Sequence, residues 1–269
     1  MTSTEKTLNE KIAICAMIKD EHQYLDEWIT YHKNLGIEYI HLYEDEGSKS
    51  HNDICSKYDN VFLTQLSHFI SDIKTSKQLH LYNGFIRKYI NKYDYVFFID
   101  LDEFVTFEDG YNMEHLINIC NENGAVLLYW KYYGANGIID NPNCNVVDAY
   151  TKPLHKINDV LNLNSTDCPY KSFVKLKGQH KNNCMRHHHI HRLAKPISFG
   201  KYNVCWLNHY ITKSWEEWCN RIFKRGQIIK DFRNIGDFFI YNPDMLPLKK
   251  ELFSKPYFCN QNKFCVSLS

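Results

Sequence analysis

Residues 11–18, KIAICAMI, place seven consecutive apolar side chains behind a single lysine. A run of this kind reads as a strand buried on both faces, because a half-solvated strand would alternate polar and apolar positions. It constrains everything that follows, since helices must then cover both sides of the sheet. The next residues supply them. In KDEHQYLDEWITYHKNLG (19–36), Tyr24, Leu25, Trp28, Ile29, His32 and Leu35 recur at helical spacing, and Gly36 provides the stop. IEYIHLYE (37–44) reads as a second strand, EDEGSKSHND as a polar loop and VFLTQL (61–66) as a third strand. Leu79, Tyr82, Ile86, Tyr89 and Ile90 mark a further helix, which delivers the chain to DYVFFID, and GAVLLYWKYYG (124–134) reads as another strand. This alternation predicts an α/β fold with a mostly parallel central sheet flanked by helices.

From about residue 135 the pattern loosens. GANGIIDNPNCN and KGQHKNNCMRHHHIHRLAKP predict long loops, and order returns in KSWEEWCNRIFKRG (213–226), where Trp215, Trp218 and Ile222 share a helical face. No repeat or linker interrupts the chain, so one domain is expected over residues 1–269, with a loop-rich C-terminal part. Thirty-two basic against 31 acidic residues speak against a nucleic-acid binder or a polybasic membrane anchor. Ten scattered cysteines without a CxxC read as free thiols in a reducing compartment. MTSTEKTLNE is no signal peptide, and no apolar run is long enough to span a bilayer. The expectation is a cytoplasmic protein, at most peripheral to a membrane; the oligomeric state is not legible.

The chemistry concentrates in DYVFFIDLDEF (94–104), where Asp100, Asp102 and Glu103 follow a buried strand. In an open α/β sheet, ligands bind beyond the carboxyl ends of the strands. Asp100 and Asp102 are two apart and would face the same way in extended chain. With no cation among their sequence neighbours, they would repel unless one is bound between them. Hard oxygen donors completed by water and phosphate describe Mg²⁺ or Mn²⁺. A bare Asp-x-Asp is more often an acidic loop capping the next helix. Here the buried strand before it and the Glu-Phe after it favour the metal.

Three segments taken in order, CAMIKDEHQYLDEWITYHKNLGIEYIHLYED, FFIDLDEF and NHYITKSWEEWCNRIFKRG, resemble the GT-A-fold glycosyltransferases of family 92 and family 2-like enzymes, over about residues 11–230. The resemblance implies transfer of a sugar from a nucleoside-diphosphate sugar, by family habit a UDP-sugar, to a hydroxyl of a glycan acceptor. It implies Mn²⁺ or Mg²⁺ and inversion at the anomeric carbon. Residues 11–135 would then hold the nucleotide sugar, 136–230 would hold the acceptor and complete the metal site, and 231–269 would form a tail. Asp102 would be the direct metal ligand, with Asp100 facing the ribose or a metal-bound water. Lys19, Asp20, Glu21, Glu44, Asp45, Lys77 and Gln78 match positions around the nucleoside. The family commonly has Asn where this chain has Asp20, and a carboxylate followed by Asn in place of EDE; both departures bear on the uridine contacts.

MRHHHIHRL invites a zinc reading, but no structural-zinc spacing accompanies it. A later histidine often completes the metal shell in such enzymes; among His189, His191 and His209, His191 is the first choice and His209 the second, with His187 and His188 dispensable. A diphosphate needs cations, and Lys213, Lys224 and Arg225 are candidates beside a solvated helix end. Inverting transfer also needs a proton acceptor. Among Asp140, Asp148, Glu216 and Glu217 the choice is Asp148, which Val146, Val147 and Tyr150 would keep partly dry. Two rival readings are a sugar nucleotidyltransferase and a non-catalytic carbohydrate binder. The first lacks its glycine-rich loop after strand one, and the intact Asp-Leu-Asp argues against the second.

Overall fold

The structure, a computed structural model, describes residues 9–66, 77–154, 170–178, 184–186, 189–191, 204–223 and 235–254, with backbone alone at 184–186 and 189–191. The chain forms two compact units: Met1–Trp130 with Asn162–Asn208, and Lys131–Leu161 with His209–Ser269.

In the first unit, β1 (Ile12–Ile18) pairs in parallel with β2 (Tyr39–Glu44) and β4 (Tyr95–Phe98), and β2 pairs in parallel with β3 (Val61–Gln65). Between them run α1 (His22–Asn34), the short α2 (Asn52–Cys55) and α3 (Lys77–Tyr89). Beyond β4 come β5 (Glu103–Phe107), α4 (Met113–Asn123), β6 (Ala125–Tyr133), α5 (Val146–Ala149), β7 (Tyr170–Lys175), the hairpin β8 (Cys184–Arg186) and β9 (His189–His191), and β10 (Cys205–Tyr210). Eight strands form one sheet in the order β3-β2-β1-β4-β7-β6-β10-β5. The division between the units falls within β6 and β10.

The expected class is observed, with one correction of detail. The four N-terminal strands are parallel, but β7 enters antiparallel to both β4 and β6, so the sheet is mixed. YKSFVK is interrupted by Lys171 and Ser172, and gave no signal comparable to the continuous apolar runs. Its Phe173 pairs with Phe97, their rings 4.3 Å apart, which seats β7 against the most buried strand.

β1 is buried as its sequence demands. Ala13 and Cys15 meet Val96, Phe98 and the α3 residues Leu81, Tyr82, Phe85 and Ile86, while Ile12, Ile14 and Ala16 are equally shielded from water. Cysteines 15, 55, 120, 205 and 219 are buried free thiols, used as small apolar groups. In the second unit, α6 (Trp215–Phe223) packs Trp215, Trp218, Cys219 and Ile222 against Phe238, Phe239, Met245 and Leu252. Its start is capped by a side chain: the Ser214 hydroxyl accepts the Glu217 N–H at 3.0 Å.

Candidate active site

α1 grips the start of β5 with three side chains. The Trp28 indole donates to the Glu103 carbonyl at 2.9 Å, and the Tyr31 hydroxyl to the Val105 carbonyl at 2.9 Å. His32 accepts the Val105 N–H at Nε2 (3.3 Å) while its Nδ1 donates to the Trp28 carbonyl (2.8 Å). One nitrogen must carry the proton and the other must not, so this ring is a neutral, fixed tautomer. Burial pushes its pKa down to about 3, against the smaller opposing effect of the Trp28 carbonyl. The EW…YH pattern therefore serves to hold the backbone that carries the carboxylates.

That backbone is a tight turn directly after β4, so the relation of Asp100 to Asp102 is set by the turn and not by an extended strand. The Glu103 N–H donates to the Asp100 carbonyl at 3.1 Å, and the Glu103 side chain folds back so that Oε2 accepts the Asp100 N–H at 2.9 Å. Asp100 is gripped on both oxygens. Oδ1 accepts from Gln78 Nε2 at 2.7 Å, and Oδ2 accepts from Lys171 Nζ at 2.7 Å. The same ammonium stands 3.9 Å from Glu103 Oε1, a buried oxygen without a hydrogen-bond partner among the described residues. Burial pushes the Glu103 carboxyl well above the usual range, and Lys171 only partly opposes this. Burial also works against the Lys171 charge, but Asp100 and Glu103 more than offset it, and the ammonium is held above the ordinary lysine range.

Lys171 corrects the sequence reading, which found no cation beside these carboxylates. The cation comes from β7, 71 residues further along the chain. Only the pairing of β7 with β4 brings it there, and no local pattern announces that pairing.

The other nucleoside-site candidates of the first unit gather at the same sheet edge. Asp45, one residue past β2, lies 3.8 Å from Lys19 Nζ and 3.3 Å from Lys77 Nζ. Gln78 follows Lys77 on α3 and already serves Asp100. Asp20 adopts a left-handed φ of 52°, a costly conformation for a residue with a side chain. It is held there because its N–H donates to Ser48 Oγ and its Oδ1 accepts the Lys49 N–H.

Glu44 faces inward instead of towards a nucleoside. His51 Nδ1 donates to its Oε1 at 2.5 Å, and Gln65 donates to its other oxygen. His51 Nε2 accepts the Glu21 N–H at 2.9 Å, so this second histidine is also a fixed neutral tautomer. Burial lowers its pKa, opposed by Glu44.

In the second unit, Asp148 sits on α5 between buried Val146 and Tyr150, yet is itself exposed and accepts from Asn145 Nδ2 at 3.3 Å. The partly dry setting expected for it is not observed. Asp140 is exposed too, whereas Glu216 accepts the Asn141 N–H and Glu217 is buried. Lys213 is buried and holds a left-handed φ of 53° immediately before the α6 cap. His209 is buried, its ring 5.3 Å from that of Tyr132. A cleft of about 540 Å³ in this unit is lined by Asn136, Lys152, Tyr241 and Asp244 among others. Lys224, Arg225, His187 and His188 lie outside the described residues, as do the side chains of His189 and His191.

The glycosyltransferase family 92 model matches residues 10–242, and the chain belongs to that family. Its α/β sheet carries the acidic turn after β4, in the fold class that the sequence pattern predicts. A family 92 protein of Ricinus communis is 22% identical over 237 residues, covering 83% of this chain and 40% of that protein. One from Oryza sativa subsp. japonica is 20% identical over 211 residues, covering 76% of this chain and 34% of its own length. The chain thus spans well under half the length of these curated relatives. Among solved structures, the WbbM bifunctional glycosyltransferase in its apo form aligns at 15% identity and a TM-score of 0.31, covering 64% of this chain and 32% of that one. The galactosyltransferase LgtC, solved with donor and acceptor sugar analogs, aligns at 13% identity and 0.29, covering 62% and 58%. No helix among the described residues is long and apolar enough to cross a membrane.

Proposed function

We propose that the protein is a divalent-metal-dependent, inverting glycosyltransferase that moves a sugar from a UDP-sugar to a hydroxyl of a glycan acceptor. The observation that carries this reading is the acidic turn Asp100–Glu103, gripped by α1 and placed at the carboxyl edge of parallel β1, β2 and β4 beside Lys19, Asp45, Lys77 and Gln78. That edge is where α/β sheets bind nucleotides.

The donor chemistry suits Mn²⁺ or Mg²⁺. Asp102 and Glu103 offer carboxylate oxygens, and Glu103 Oε1 is buried without a hydrogen-bond partner among the described residues. When bound, the ion would act as a Lewis acid on the diphosphate leaving group. In this reading Asp102 is the principal ligand, His209 or His191 the late one, and Asp100 faces the ribose. Lys19, Lys77, Lys213 and Arg225 are the proposed cations for the phosphates, with Glu21, Asp45 and Gln78 around the nucleoside. Asp148 is the proposed acceptor of the hydroxyl proton. Its exposure leaves it open to an incoming acceptor.

A panel of UDP- and GDP-sugars, assayed for transfer and hydrolysis with Mn²⁺, with Mg²⁺ and after EDTA, tests the reading. Turnover restored to EDTA-treated protein by Mn²⁺ supports it. Full turnover in EDTA overturns the metal dependence, and a product of retained anomeric configuration removes the need for Asp148.

A further inference from the structure

The ammonium behind Asp100 has no part in the reading above. Lys171 is fully enclosed, with 2% of its side chain exposed, whereas the Asp100 side chain it contacts at 2.7 Å is 34% exposed. The carboxylate stands at the front and the cation behind it. Lys171 therefore cannot reach a nucleotide directly; whatever it contributes passes through Asp100 and Glu103. Gln78 fixes the other Asp100 oxygen at 2.7 Å, and Gln78 Nε2 is itself 2.9 Å from the Tyr82 hydroxyl. One side-chain donor per oxygen leaves Asp100 a single orientation before any ligand arrives.

We propose that Lys171 is a positioning residue of the donor site: an internal counter-cation that holds Asp100 towards the nucleotide and keeps it out of the metal's coordination shell, leaving that role to Asp102. The proposal rests on the nucleotide-sugar reading and extends it. Its physical basis is charge compensation in a water-poor site. Three carboxylates on four consecutive residues would collapse onto a divalent ion from several sides unless one were already satisfied. An ammonium held at hydrogen-bond distance satisfies Asp100 permanently, so the turn keeps one shape with and without metal. Lysine suits this task because it is a compact point charge that fits behind the turn against the Trp130 ring, 5.8 Å away.

The test measures UDP and GDP binding by calorimetry in saturating Mn²⁺, and Mn²⁺ binding by electron paramagnetic resonance without nucleotide. The proteins are wild type, Lys171→Met, Lys171→Arg, Asp100→Asn and the Lys171→Met/Asp100→Asn double variant. The expected results are a roughly 10–100-fold loss of nucleotide affinity in Lys171→Met, tighter Mn²⁺ binding to that variant without nucleotide, and substantial rescue by Lys171→Arg. In the Asp100→Asn background, the methionine substitution should add little, because the two residues act as one unit. Nucleotide and Mn²⁺ affinities unchanged in folded Lys171→Met overturn the proposal, and so do fully additive losses in the double variant. If Lys171→Met does not fold, Lys171→Arg decides: affinities near wild type support the charge role, and a loss equal to that of Asp100→Asn overturns it. Wild-type protein that binds neither nucleotide with Mn²⁺ overturns the nucleotide-sugar reading itself, a result distinguishable from failure of the Lys171 role alone.

Discussion

Asp45 and Asp100 stand at the carboxyl ends of β2 and β4, on either side of β1, and each faces lysine. Around Asp45 the partners are Lys19 and Lys77, 33% and 40% exposed, at 3.8 and 3.3 Å. Around Asp100 the partner is a lysine 2% exposed at 2.7 Å, with Gln78 at 2.7 Å on the second oxygen. The first arrangement is screened by water and is worth about 0–1 kcal/mol, so its side chains can rearrange around a ligand. In the second the lysine is enclosed while Asp100 keeps about a third of its side chain in water. Removing Asp100 therefore leaves a buried ammonium with Glu103 close by, at a cost below the roughly 3–5 kcal/mol of a fully buried pair. One edge of the sheet thus combines an adaptable rim with a rigid turn. A site of this kind can accept a variable nucleotide sugar while keeping the reacting end in place.

The contrast breaks most visibly at the rigid turn. Asp102→Asn should abolish transfer, and Asp100→Asn should impair it and weaken nucleotide binding, both with the fold intact by circular dichroism. Equal and mild effects of the two would mean that the turn is not where the metal and the nucleotide meet. Next in size is the grip of α1. Trp28→Phe removes the donor to the Glu103 carbonyl and part of a fully buried ring, and should cost about 2–4 kcal/mol in denaturant unfolding. Nucleotide affinity should fall with it. A variant that loses stability but binds UDP normally would show that the turn keeps its shape without α1.

Acid should weaken the buried frame that carries both regions. Burial lowers the pKa of His32 to about 3 and that of His41 to about 4, the latter helped by Lys92 and Lys88. Below the ordinary value of 6.5 the unfolded chain takes up these protons and the native chain does not. Stability is therefore present at neutral pH and lost as pH falls through 6.5 towards 4. Each histidine should remove about 1 kcal/mol between pH 6.5 and 5.5. His32→Gln, which offers a donor and an acceptor, should flatten the dependence by about half. An unchanged slope would place the acid sensitivity elsewhere.

Much of this was legible before the structure, and the limits have a physical cause. KIAICAMI and DYVFFID fixed the central strands because burial on both faces leaves a continuous apolar run. The helical period of Tyr24 to His32 marked α1, though not its grip on β5, which depends on tertiary hydrogen bonds that periodicity does not encode. Lys171 was invisible for the same reason: its partner is set by strand order, and YKSFVK pairs antiparallel where parallel strands were expected. Glu44 was misassigned because inward and outward positions of a strand end look alike in sequence until His51 and Gln65 are seen to claim both oxygens. Asp148 shows the opposite error, where buried neighbours in sequence did not mean burial in space.

The smallest expected effect lies at the rim. Lys19→Ala and Lys77→Ala each remove an ion pair to Asp45 that is partly solvated and, for Lys19, long. Thermal unfolding should move by no more than about 1 kcal/mol in either variant. A residue so little needed for the fold is available for a ligand, and a diphosphate would offer these ammonium groups more negative charge than Asp45 does. The donor KM should consequently rise by about 3–10-fold, corresponding to roughly 0.7–1.4 kcal/mol of lost charge-assisted contact, and should rise more at low ionic strength than at high. Turnover at saturating donor should hardly change, since the contact is equally present before and during transfer. If kcat falls with KM unchanged, the two lysines belong with the rigid turn. If neither parameter moves, the nucleotide does not cross this part of the edge, and the distinction between an adaptable rim and a fixed turn has only structural meaning.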